Sequence, residues 1–421
     1  CTSSAASDVY KRQLFGGDQP VALITLTCVA AISAMVSFAI WPVFLVQLGP
    51  SWGLSNTQIG WISGTYFIGY VLATPLLVGL TDSIDAKRVF VGGSLAAALG
   101  SAGFAVLADG FWWAAICWGI VGAGLAGTYM PGLQILNARL PDDKRIRAVP
   151  FYTSCFGIGT GGSFFLNGHL LIHFDHEVAA WMGAIGGLAS ASLVMFLVRP
   201  QPVQPVASSP RRHPLDLRPA FRNRLALGYI FAYGAHTYEL FAYRGWSFAM
   251  FVFLGAKSQP AMSLPMITTL VSLLTLTGMA ASIIGARYCQ IYGRHRVITL
   301  VGAVSASFAV LSALALDGPV WLALTILWIY NICIMLDSGA LTAGTVTAAA
   351  PEERGALLAV HSMIGFAGGA LGGPAVGLML DMGGGETQTS GWFWAILVMG
   401  SGSVIVALIQ WRFWRRWGRG E

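Results

Sequence analysis

The stretch YGAHTYELFAYRGW, Tyr233 to Trp246, lies inside an apolar run long enough to cross a bilayer, yet it carries His236, Glu239 and Arg244. A charged side chain near a bilayer centre costs about 2.5 to 3.5 kcal/mol on insertion scales, so such groups face protein or water rather than lipid. The segment therefore reads as a helix of a membrane bundle with its polar groups turned inward. Outward from it the chain keeps this character. Its 421 residues are 56% hydrophobic and 10% charged, where a soluble domain carries about 25% charged residues. A mean hydropathy of +0.68 with 52 glycines fits helices that approach closely in lipid. It excludes a soluble enzyme with one anchor.

Apolar runs of about 20 residues, separated by Gly, Pro, Asp and basic breaks, predict an all-α membrane protein of twelve transmembrane helices in two six-helix bundles. The first six runs fall near 22–47, 57–80, 88–108, 112–136, 148–170 and 178–198, the second six near 225–255, 264–288, 297–316, 319–348, 355–380 and 391–411. The domains are then a leader at 1–20, an N-terminal bundle at 21–199, a Pro- and Arg-rich linker at 200–224, a C-terminal bundle at 225–411 and a basic tail at 412–421. The polar CTSSAASDVYKRQ resembles translated adaptor sequence and is set aside from the fold.

The net charge of +6 alternates with apolar spans instead of forming a patch, which argues against nucleic acid and for a topology signal. Lys87, Arg88, Arg139, Arg145, Arg199, Arg218, Arg294, Arg296, Arg354 and the tail arginines share one side. The positive-inside rule puts that side, the linker and both termini in the cytoplasm of a cell (inner) membrane protein. Six scattered cysteines lack metal-ligand spacing and read as small hydrophobes. No metal or cofactor is expected. Neither a Walker loop, HExxH nor GxSxG is present, so an enzyme is not expected.

The halves repeat. Asp82 and Gln290 open comparable loops 208 positions apart, and at the same offset TSCFGIGTGG (Thr153–Gly162) falls on HSMIGFAGGA (His361–Ala370). Parallel repeats with a cavity between them are a secondary-transporter architecture. GLTDSIDAKRV, with Asp82, Lys87 and Arg88, and QIYGRHRV, with Gly293, Arg294 and Arg296, resemble the loops after spans 2 and 8 of the major facilitator superfamily. Ser83, Asp85 and Gln290 depart from that pattern. The resemblance covers the chain after residue 20 and implies alternating access, with these six residues as a gating loop. It also implies that spans 1, 4, 7 and 10 line the cavity.

Glu239 and Asp337 are the carboxylates placed deep in the membrane, about 20 and 18 Å along spans 7 and 10 from the cytoplasmic end. Both are candidates for proton or cation coupling, with His236 beside Glu239 on one helical face. Arg244 projects about 140° from Glu239 and either binds an anionic group through its fixed fork or neutralises an acid. Tyr243, Asn331, Tyr330, Tyr129 and His361 are further candidates for the substrate site, or hold helices together. Aromatics such as Trp41, Phe44, Phe241 and Trp246 would line an amphiphilic pocket or simply pack. Trp118 stands where many proton-coupled family members place an arginine.

These readings imply a monomeric secondary active transporter in the lipid bilayer, moving a small-molecule substrate with a proton as partner, and export is the favoured direction. Uptake of an organic anion by proton symport is the alternative, and a transport-inactive receptor or scaffold is the third.

Overall fold

A computed structural model describes residue 16 and residues 18–81, 83–201, 217–350 and 353–417. Among them the chain is helical without strands. The helices are α1 (Pro20–Ala34), α2 (Ile40–Ser51), α3 (Asn56–Leu80), α4 (Ala86–Leu107), α5 (Phe111–Arg139), α6 (Asp142–His173) and α7 (His176–Leu197). After the linker, most of which lies outside the described residues, come α8 (Arg218–Arg222), α9 (Arg224–Lys257), α10 (Leu264–Tyr292), α11 (Arg294–Leu314), α12 (Val320–Met335), α13 (Ser338–Ala348), α14 (Arg354–Met382) and α15 (Thr389–Trp417). By length and composition eight membrane-crossing spans stand out, one of them formed by α12 and α13 together, and α1 and α2 are shorter apolar helices.

Two stretches expected as single spans are split. The first breaks between Ala34 and Ile40. Pro42, in the opening turn of α2, has no N–H to donate to the preceding turn, and its ring crowds the carbonyl four residues back. Groups freed by the break are met from α6. Ser163 Oγ donates to the Val36 carbonyl at 2.7 Å and accepts from the Ala39 amide at 2.9 Å, while Asn167 Nδ2 donates to Val36 at 3.0 Å.

The second break, at Leu336 and Asp337, precedes a Ser338–Gly339 pair, a combination that commonly kinks helices. It is braced from α10, where Ser282 Oγ accepts from the Gly339 amide at 3.1 Å. A Cβ on Gly285 would collide with the Leu336 carbonyl, so glycine lets the break seat against α10. Irregular backbone at membrane depth persists only where protein supplies such partners.

The stretches 21–199 and 225–411 meet mainly along two helix pairs, α3 with α14 and α6 with α10, with a smaller contact of α2 with α9. On the first pair Gly60 and Gly64 abut the backbone of Gly373 and Ala370, and Gly377 abuts Asn56. On the second, Gly157, Gly161 and Gly168 face Met279, Leu276 and Thr268. Small residues permit this approach, and the contact is dispersion between close surfaces. Trp41, Phe44, Trp118, Tyr243 and Trp246 fill the interior beside it.

Candidate functional site

Between the two sets of helices lies a pocket walled by Tyr66 and Phe67 of α3, Trp118 of α5 and Phe241 of α9, with Arg244 and Ser63 as its polar members. Its open volume is about 20 Å³, room for roughly one water. Arg244 is 5% exposed. Its Nη2 reaches only the Met335 sulfur at 3.7 Å, and its Nε has no hydrogen-bond partner among the described residues. Ser63 Oγ is also buried without a partner. Among the described residues, a buried cation without an acid partner and a buried hydroxyl without a hydrogen bond thus turn to one aromatic-walled space.

Ring layers close this space toward the basic loops: Phe67 lies 4.2 Å from Phe241, and Tyr70 lies 3.8 Å from Phe366. The opposite end is held by a residue that sequence reasoning missed. Asp381, near the end of α14, accepts from the amides of Asn56 and Thr57 at 2.8 and 2.9 Å and from their side chains at 2.9 and 2.6 Å. The opening turn of α3 contains no acid, so its free N–H groups and partial positive charge draw a carboxylate from across the interface. That acid-free turn was the available signal.

The two deep acids have separate partners. Glu239, 1% exposed, accepts from Tyr330 Oη at 2.6 Å and from Ser403 Oγ at 2.5 Å, turning it toward α12 and α15. Asp337 lies at the break, its Oδ1 2.7 Å from His236 Nδ1. That contact has ion-pair distance without hydrogen-bond alignment, because Asp337 Oδ1 has no hydrogen bond and His236 Nε2 has none either. Tyr233 stacks on His361 at 3.9 Å and on His236 at 5.8 Å. His361 in turn contacts Thr342 and Thr345 at 3.2 and 3.0 Å. Neither acid pairs with Arg244 among the described residues, so the neutralising role considered for the arginine finds no partner there.

The other substrate-site candidates lie outside the pocket wall. Tyr243 Oη donates to the Leu327 carbonyl at 2.9 Å and Asn331 Nδ2 to that of Leu274 at 2.9 Å, so both tie α12 to its neighbours. Tyr129 packs on Tyr152 at 6.2 Å.

Of the gating-loop residues, Asp82 lies outside the described residues. Lys87 Nζ donates to the Val198 carbonyl, and Arg88 is exposed. The acid bonded in this loop is Asp85, which takes both oxygens to Arg139 Nη2 at 2.8 Å and accepts from the Lys87 and Gln201 amides. Burial pushes its carboxyl upward, but Arg139 and those amides outweigh this and hold it below its usual value. Gly293, at φ +88°, makes the tight turn into α11, and Arg294 donates to Thr347 Oγ1 at 2.7 Å.

Comparison with known proteins places this geometry. The Major Facilitator Superfamily family model matches residues 26–328. A niacin transporter, NiaP of Acinetobacter baylyi, is 27% identical over 141 residues, which are 34% of this chain and 32% of that protein. The alignment thus spans about a third of that relative's length. A bacterial homolog of the human lysosomal transporter Spinster, in an inward-facing and unoccupied conformation, superposes with TM-score 0.70 at 16% identity, covering 94% of this chain and 96% of that one. The nucleoside transporter NupG superposes at 0.72 and 16% identity, covering 93% and 99%. The chain belongs to the Major Facilitator Superfamily and is a multi-pass membrane protein of the transporter fold.

Proposed function

We propose that this protein is a twelve-helix secondary transporter that carries a small organic anion by alternating access, with Arg244 as the anion's partner. One observation carries the reading: a buried arginine with no acid partner among the described residues lines an aromatic pocket where the two sets of helices meet. An unpaired charge of this kind destabilises the fold, and an anionic substrate lowered onto its fork would relieve that cost. The relative described as a niacin transporter supports a small organic cargo. Export, the direction favoured from sequence, gains no support from the site, and the anion reading does.

At about 20 Å³ the pocket does not hold such a substrate, so the bundles 21–199 and 225–411 rock apart to admit it. Release of Asp381 from the start of α3 opens one end, and parting of Tyr70 from Phe366 opens the other. The His236–Asp337 contact, next to the break between α12 and α13, is the proton site of a symport. It is separate from the anion site, and loading it with a proton neutralises the charge that accompanies an anion. The protein works as a monomer in the inner membrane, with its basic loops and both termini cytoplasmic.

The test is a thermal-shift screen of anionic, neutral and cationic solutes on wild type and Arg244→Ala, followed by proteoliposome flux of the hits. Stabilisation by anions that disappears in the variant is expected. Equal stabilisation of both proteins, or undiminished flux in Arg244→Ala, overturns the assignment.

A further inference from the structure

A second cavity, of about 330 Å³, opens on the outer surface between α10 and α11 and shares no lining residue with the anion pocket. That volume is within the range of ligand-holding clefts, roughly 300 to 1,000 Å³. Its walls are Tyr288, Tyr292, Val297, Leu300 and Val301, and its inner end is Leu336 at the break before Asp337. Tyr288, Tyr292 and Leu300 are 52%, 59% and 56% exposed. Both helices are apolar enough to cross a membrane, so what covers an outward-facing cleft between them is lipid.

The mouth of the cleft is positively charged. Arg287, Arg294 and Arg296 cluster at the turn between the helices, while no Asp or Glu occurs from Ser258 to Leu316. Arg294 is engaged by Thr347 and by the face of Tyr229. Arg296 lines the cleft, is exposed and forms no ion pair among the described residues. Tyr288 and Tyr292 stack 6.0 Å apart beside it, and such amphipathic rings sit at headgroup level in membranes. Arg296 and the tyrosine pair thus lie within two turns of the basic turn, and the aliphatic wall continues past them to Leu336, which matches a phosphate headgroup followed by an acyl chain.

We propose that this cleft is a binding site for one anionic phospholipid, its phosphate on Arg296 and one acyl chain laid along Leu300 and Val301 to Leu336. A chain in that position packs against Leu336 at the break. The proposal makes Arg296 a lipid ligand, in place of the gating role that the loop resemblance implies, and it is independent of the substrate carried.

The experiment is native mass spectrometry of the delipidated protein in detergent, titrated separately with phosphatidylglycerol and phosphatidylcholine. Wild type is expected to retain one phosphatidylglycerol about tenfold more tightly, equivalent to roughly 1.4 kcal/mol. Arg296→Gln, an exposed change, brings phosphatidylglycerol to the phosphatidylcholine level, and Val301→Trp, which fills the cleft, weakens both. Glycerol phosphate without acyl chains does not compete. Equal retention of the two lipids by wild type, a preference that survives Arg296→Gln, or competition by glycerol phosphate would each overturn the assignment.

Discussion

Glu239 and Arg244 are five residues apart on α9 and almost equally hidden, at 1% and 5% exposure, yet their surroundings are opposite. Glu239 has a hydroxyl on each oxygen, from Tyr330 and Ser403. Arg244 has a thioether at 3.7 Å and an aromatic pocket. Burial of a charge is therefore not evidence of a role by itself. A bonded group within one bundle holds helices together, whereas an unbonded one at an interface is open to a ligand.

The largest effect expected from this contrast is on Arg244. Arg244→Met removes the charge-assisted hydrogen bonds of the proposed anion site, worth about 1.5 to 3 kcal/mol each, so anion binding is expected to fall roughly tenfold to 150-fold for each bond lost. The same change removes an unpaired buried charge, so thermal unfolding in detergent shifts upward. A lower unfolding temperature would mean that Arg244 is bonded after all. Arg244→Lys keeps the charge and loses the fork, and affinity between the other two is expected.

Glu239→Ala strands the hydroxyls of Tyr330 and Ser403 and opens space beside Gly402, a loss of about 2 to 4 kcal/mol in stability. Glu239→Gln keeps an acceptor for Tyr330 and costs about 1 kcal/mol or less. Unfolding of Glu239→Ala at the wild-type temperature would contradict the structural reading of this acid. Asp337→Asn separates the acids by function: its flux stops rising with an imposed proton gradient, while that of Glu239→Gln still rises. The reverse pattern would move the proton site to Glu239.

The smallest effect concerns Asp85, a paired acid at the basic face. Its carboxyl is held below the unfolded value of about 3.9. The pair therefore contributes stability that is complete above that value and is lost as pH falls through the lower folded one. Burial, which opposes the charged form, offsets much of this and leaves about 1 kcal/mol. Wild type and Asp85→Asn should differ in unfolding temperature at pH 7 and converge in acid; an unchanged difference at pH 3 would show that charge is not the cause.

The helices were legible because bilayer thickness sets run length, and charged residues inside such runs stand out against insertion cost. The breaks left signals too, in Pro42 and in Ser338–Gly339, but a run of apolar residues looks continuous whether or not its hydrogen bonds are. That Ser163 and Asn167 brace one break and Ser282 the other depended on helices more than a hundred and about fifty residues away. Asp381 was hidden for a similar reason, since its partners Asn56 and Thr57 are 325 and 324 positions distant.

From sequence alone follow an all-helical membrane chain, the superfamily, and the few ionisable groups that a bilayer does not tolerate without reason. Those are local or additive properties of the chain, set by hydropathy and spacing. Which of these groups are partnered was decided only in three dimensions, because one helix can turn Glu239 into its own bundle and Arg244 toward the other, and the donors that distinguish them come from remote segments. The same holds for the outward cleft, since Arg296 and Leu336 become neighbours only once α10, α11 and the break are packed.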